Sequence, residues 1–126
     1  AGPFNWSHKA KAALADSSLS GDRWHLKAWH DGYVRRFGVR HQRTVRRVGE
    51  STLRIEDVLA GPGKGRPMSV SAGFLLAPGL LAVEENDTWF ARDADTGETL
   101  LSLRHHGTLR ASVAYGGEEP PEGWYS

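Results

Sequence analysis

The fold is decided by two alternating runs, Arg23-Trp24-His25-Leu26-Lys27-Ala28-Trp29-His30 and Val39-Arg40-His41-Gln42-Arg43-Thr44-Val45-Arg46-Arg47-Val48, with Asp31-Gly32-Tyr33 and Gly38 between them. Side chains of a strand point alternately to opposite faces. In the first run Trp24, Leu26 and Ala28 share one face, and Arg23, His25, Lys27 and Trp29 the other. In the second, Val39, His41, Arg43, Val45 and Arg47 lie on one side, and Arg40, Gln42, Thr44, Arg46 and Val48 on the other. Asp31-Gly32 supplies a turn or bulge signal, and Gly38 punctuates again. Gly49-Glu50-Ser51 reads as a tight hairpin turn into a strand over 52–59, where Leu53 and Ile55 face one way and Arg54 and Glu56 the other.

Toward the N-terminus, residues 1–8 read as an irregular lead-in anchored by Phe4 and Trp6. Residues 9–15 form either a helical turn or a short strand, and Ser17-Ser18 and Ser20-Gly21-Asp22 mark a loop. Toward the C-terminus, residues 61–67 hold too much Gly and Pro for a regular element. Strands are then predicted over 68–76, 80–85, 88–92, 99–104 and 108–115, broken at Pro78-Gly79, Asn86-Asp87, residues 93–97, His106-Gly107 and Gly116-Gly117. The tail from Glu118 is extended by its prolines and ends in Trp124-Tyr125, like the opening of a segment that continues. Short strands at this spacing predict an all-β, antiparallel sandwich or barrel with little helix. Without long amphipathic helices between the strands, a parallel α/β sheet is not expected.

The length of 126 residues fits a single domain over 1–126. No apolar run approaches the roughly 20 residues that cross a bilayer, and the longest is broken by Pro78-Gly79, so no membrane partner is expected. Net charge is only +1, yet Arg35, Arg36, Arg40, Arg43, Arg46, Arg47 and Arg54 crowd one region. A basic patch on a near-neutral chain implies a local anionic partner. The absence of cysteine excludes disulfides, thiol catalysis and cysteine metal sites. The chain starts Ala1-Gly2-Pro3, without Met or a signal-peptide pattern, as a fragment of something longer would.

Arginines on one face of a strand recur about every 7 Å, a spacing suited to a linear polyanion. Guanidinium groups grip carboxylate or sulfate in a fork that Lys cannot copy. Arg40, Arg43 and Arg46, with His41 and Tyr33, are therefore the substrate-binding candidates. The competing reading is a solvated face, neutralised by Glu50, Glu56 and Asp57. His30 and His41 flank the turn, but His30 and Asp31 are adjacent and would point to opposite faces of a strand, so no metal site is assigned. His105-His106 reads as a solvated pair at a turn. Tyr33 and His8 are acid/base candidates, although a tyrosine, with a free pKa of about 10, needs a cationic or desolvated neighbour to act as a base. No nucleophile elbow, phosphate loop, dinucleotide fingerprint or His-Glu-x-x-His is present. No aromatic interleaves residues 39–54, which argues against a nucleic-acid partner.

Several stretches taken in order resemble one family: Ser7-His8, His30-Asp31-Gly32-Tyr33, Gly38-Val39-Arg40-His41-Gln42-Arg43, Leu53-Arg54-Ile55-Glu56-Asp57-Val58-Leu59-Ala60-Gly61, Phe74-Leu75-Leu76-Ala77-Pro78-Gly79 and Gly123-Trp124-Tyr125-Ser126. They are similar to the C-terminal β-sandwich region of heparinase II/III-like polysaccharide lyases, over nearly the whole chain. The resemblance implies a bacterial parent enzyme that cleaves a uronic-acid-containing polysaccharide, a glycosaminoglycan or alginate, by β-elimination. In it an α/α toroid precedes the sandwich, and the cleft lies between the two. This chain lacks the toroid, so the isolated domain is expected to be inactive. The resemblance carries a catalytic role over to His8, here followed by Lys9-Ala10 where Asn-Thr is usual. Some members hold a structural zinc in the sandwich, but no ligand maps cleanly here and no cofactor is assigned. The implied compartment is periplasmic or extracellular, with the cytoplasm as the alternative. A different class of function, a non-catalytic polyanion- or carbohydrate-binding or interaction module, would use the arginine row with Trp29 and Trp89.

Overall fold

The alternating runs become neighbouring strands of one antiparallel sheet. The computed structural model describes residues 9–65, 67–106 and 110–113, with the strand backbones Gly117–Glu118 and Pro121–Glu122. Two compact units form, Ala1–Val70 and Ser71–Ser126.

The first unit holds strands β1 (Ala12–Ser20), β2 (Arg23–His30), β3 (Arg40–Arg47) and β4 (Leu53–Ala60), paired antiparallel in chain order. Residues 9–15 thus contribute to a strand, and Ser17-Ser18, expected in a loop, lie inside β1. Hydroxyl residues are tolerated there because β1 is an edge strand, bulged between Leu14 and Asp16. The turn to β2 needs only Gly21-Asp22. Between β2 and β3 the chain makes more than a turn: Val34–Phe37 forms one helical turn, α1, which the sequence did not announce. Gly38 ends it at φ 69°, its N–H donating to the Val34 carbonyl at 2.9 Å.

The β3–β4 register is symmetric about Glu50, so that Arg47 faces Leu53, Arg43 faces Asp57 and Arg40 faces Ala60. One face of the sheet consequently carries the rows Ala28–Arg43–Asp57 and Leu26–Val45–Ile55. The other carries Trp29–Gln42–Val58, Lys27–Thr44–Glu56 and His25–Arg46–Arg54.

The second unit holds β5 (Leu80–Glu85), β6 (Thr88–Asp93) and β7 (Thr99–Leu103), again antiparallel in order, and a two-residue ladder of β8 (Gly117–Glu118) with β9 (Pro121–Glu122). Asn86 and Asp87 take φ 50° and 62°, the left-handed pair that a two-residue hairpin requires. The Asp93 carboxylate accepts the N–H groups of Asp95 and Thr96 at 2.8 and 2.9 Å, closing the next turn. The strand predicted over 68–76 does not form. The run is apolar enough, but a strand exists only with a ladder partner, and none is offered among the described residues. Residues 110–113 of the strand predicted over 108–115 are irregular; its other residues, apart from Arg110–Val113, lie outside the described ones.

The all-β antiparallel class expected from the sequence, with little helix, is the one observed, in keeping with a sandwich. Among the described residues the buried ones are Val39, Ala91 and Thr44, and no large side chain is fully enclosed.

Candidate functional site

Period two puts His41 and Arg43 on one side of β3, and the hairpin register sets Asp57 across from Arg43. The β2–β3 register sets His30 across from His41. These four residues make one continuous hydrogen-bonded chain. Arg43 forks onto Asp57, Nε to Oδ1 at 2.8 Å and Nη2 to Oδ2 at 3.0 Å. His41 Nε2 lies 2.7 Å from Asp57 Oδ1, His30 Nε2 lies 3.0 Å from His41 Nδ1, and the Gly32 N–H reaches His30 Nδ1 at 3.2 Å.

The direction of every bond follows from what each atom can do. A carboxylate only accepts, so His41 Nε2 carries the hydrogen. Nδ1 of that neutral ring is then an acceptor, so His30 Nε2 donates. His30 Nδ1 is left to accept, and a backbone N–H is what faces it. For neutral rings the network thus selects a single tautomer of each imidazole. A further proton on either ring would put two donors face to face.

The Arg43 fork, helped by the His41 hydrogen bond, holds the Asp57 carboxyl below the usual carboxylate range against the opposing effect of partial burial. The same pairing raises the Arg43 guanidinium above its ordinary value. Tyr33, 45% exposed, sets its ring edge-on to His30 at 5.1 Å, and lies 6.3 Å from His41. Tyr33 thus presents a phenol to solvent above two ordered imidazoles.

Asp31 is separate from this group, as its adjacency to His30 predicts. Its carboxylate accepts the Lys11 N–H at 2.6 Å and its own N–H donates to the Lys11 carbonyl at 3.0 Å, tying the β1 side of the sheet to the turn. His30, His41 and Asp57 spend their facing atoms on one another. Among the described residues no group of three His, Asp or Glu converges on a point that could hold a metal, so they do not fit the zinc that the family resemblance raised.

Of the five substrate-binding candidates, the structure brings together Tyr33, His41 and Arg43. Arg40 and Arg46 project from the opposite face, with Arg40 stacked over the Trp29 ring at 4.7 Å. Trp29 and Trp89 are half-buried rather than open platforms. His25 is held by Asp16 at 3.0 Å. The expected solvated pair divides: His106 is exposed, whereas His105 Nδ1 is shielded without a hydrogen-bond partner among the described residues. His8 lies outside the described residues.

Two members of the group, His30 and Asp57, are not among the substrate-binding candidates that the sequence offers. The signal for Asp57 was present: counting outward from the hairpin centre at Glu50 sets it opposite Arg43.

An antiparallel β-domain with a turn-borne tyrosine over a His-His-Asp-Arg relay is thus the class of molecule that fold and site define. A family model described as heparinase II/III-like, C-terminal, matches residues 1–126, and the chain belongs to that family. No curated protein and no solved structure matches it.

Proposed function

We propose that this chain is the C-terminal domain of a lyase that cleaves a uronic-acid-containing polysaccharide by β-elimination, and that it meets the substrate with the face bearing Tyr33, His41 and Arg43. Family membership supports the lyase parent. The observation that carries the choice of face is the relay from Gly32 through His30 and His41 to the Arg43–Asp57 fork. β-Elimination needs a base for the proton beside the uronate carboxylate, an acid for the leaving glycosidic oxygen, and positive charge for the aci-anion between them. Tyr33 is the exposed member of the group, and the relay orients the rings beneath it. Arg43 is already committed to Asp57 and acts as a positioning residue. His8 remains the catalytic candidate that family resemblance assigns to this chain. The remaining groups of the cleft belong to an α/α toroid of the parent, so the domain alone is inactive.

The test is ultraviolet absorbance of the unsaturated uronate product, with heparin and alginate as substrates. The chain alone is expected to give none, and a parent protein with the toroid is expected to give it. Turnover by the chain alone would overturn the assignment of half the cleft to the toroid. Absence of product from the parent on every uronate polymer would overturn the lyase reading. In an active parent, His8→Ala is expected to lower kcat by about 10²- to 10⁴-fold, while His41→Ala mainly raises KM.

A second reading, a non-catalytic acidic-glycan-binding module, is supported by Arg23, Arg46 and Arg54, which pair with no acid among the described residues. Glycan binding that weakens steeply with salt, alongside an inactive parent, would favour it.

A further inference from the structure

At the other end of the same sheet, about 16 Å from His30 by strand rise over five residues, a cleft of about 350 Å³ is lined by Arg23, His25, Arg46, Arg47 and Arg54, with Trp24 as an apolar wall. The β2–β3–β4 register creates this concentration of charge. Arg46 stands directly opposite Arg54 on one side and opposite His25 on the other. Like charges directly across a strand pair repel. Two of these side chains are occupied: Arg47 donates to the Gly49 and Glu50 carbonyls at 3.0 and 2.7 Å and lies 3.7 Å from the Asp22 carboxylate, and His25 bonds Asp16. Arg23, Arg46 and Arg54 are exposed and make no hydrogen bond or ion pair among the described residues. The row therefore retains its repulsion, which an oxyanion lying between the guanidinium groups would turn into forked bonds.

We propose that this cleft is a second oxyanion site, which takes a carboxylate or sulfate group of an acidic polysaccharide at a distance from Tyr33. That the oxyanion belongs to a glycan rests on the reading above; the oxyanion chemistry does not. Arg46 and Arg54 lie on the face of the sheet opposite Arg43, so this site is separate from the Tyr33 face and contributes affinity without touching the reacting bond.

Calorimetric titration of the chain with heparin, alginate, neutral dextran and single-stranded DNA at two salt concentrations tests this, with no turnover required. Heparin and alginate are expected to bind and to weaken with salt. Heparin alone would assign a sulfate, and alginate alone a carboxylate. Arg46→Ala/Arg54→Ala is expected to cut that affinity about tenfold or more, and Arg46→Lys/Arg54→Lys, which keeps the charge and loses the fork, to restore it only in part. Thermal unfolding supplies a second measurement. Without glycan the alanine pair melts no lower than the unsubstituted chain, because a repulsion has been removed, and heparin raises Tm of the unsubstituted chain more than that of the variant. Unchanged heparin and alginate affinity in the alanine pair overturns the site, even if the parent proves to be a lyase. DNA bound as tightly as the glycans, or no binding by any polyanion, overturns it as a glycan site.

Discussion

Asp57 concentrates the residue-scale chemistry of the site, since one carboxylate serves a guanidinium fork and an imidazole. Its pKa is depressed in the folded chain, so unfolding takes up a proton once the pH falls toward the ordinary carboxylate value near 4. Its contribution to stability is full above that value and is lost as the pH drops through the lower, folded pKa. Urea unfolding midpoints should therefore fall between about pH 5 and pH 3, and by less in Asp57→Asn. A carboxyl about a third exposed is partly screened, so Asp57→Ala should cost about 1 kcal/mol by the same measurement. The turn at Asp93 differs from this case: its carboxyl is held below the usual range by the Thr96 and Asp95 N–H groups, with no cation involved. Asp57 was legible from the hairpin centre at Glu50, yet a carboxylate beside arginines reads equally well as a mere counter-charge. Only its bond to His41 separates the two readings.

At the scale of elements, the connection between β2 and β3 shows how the site end is built. Gly38 closes α1 in the left-handed region, and a Cβ there would lie 2.8 Å from the Gly63 carbonyl oxygen. The Gly38 carbonyl in turn accepts the Gly63 N–H at 3.2 Å, holding the segment after β4 against the turn. Gly38→Ala therefore meets both a conformational and a steric penalty and should destabilise by about 2 kcal/mol or more in chemical denaturation. A loss under half of that would show that the segment after β4 yields to the new methyl group. Strand existence was legible for β2, β3, β4, β5, β6 and β7 because alternation and turn residues agree there. It was not legible over 68–76, where hydrophobicity without a partner was read as a strand, nor at α1, where one turn of helix leaves too short a periodic signal.

At the largest scale, little apolar surface is enclosed among the described residues. Leu19 is 81% exposed and Leu14 61%, and Leu26, Leu53 and Ile55 lie open on the face that also carries the relay. No helix among the described residues is long and apolar enough to cross a membrane. Such a chain should bind a hydrophobic dye such as ANS in its native state and unfold with a urea m-value below that of a fully packed domain of its length. An m-value at the full-domain level, with no dye bound, would contradict this description of its surface.

The alternation of residues 23–30 and 39–48 by itself determined the antiparallel β class and the sorting of side chains into two faces, because strand period is local and independent of any partner. The ordered motifs carried the family resemblance. Which side chains meet was decided only by tertiary structure. Register across three strands joined His30, His41, Arg43 and Asp57 at one end, set Arg46 against Arg54 at the other, and parted Arg40 and Arg46 from Arg43. Pairing across strands depends on the length and geometry of the intervening turns, including a helical turn that local pattern does not reveal, and so the chemistry of this sheet lies in its register.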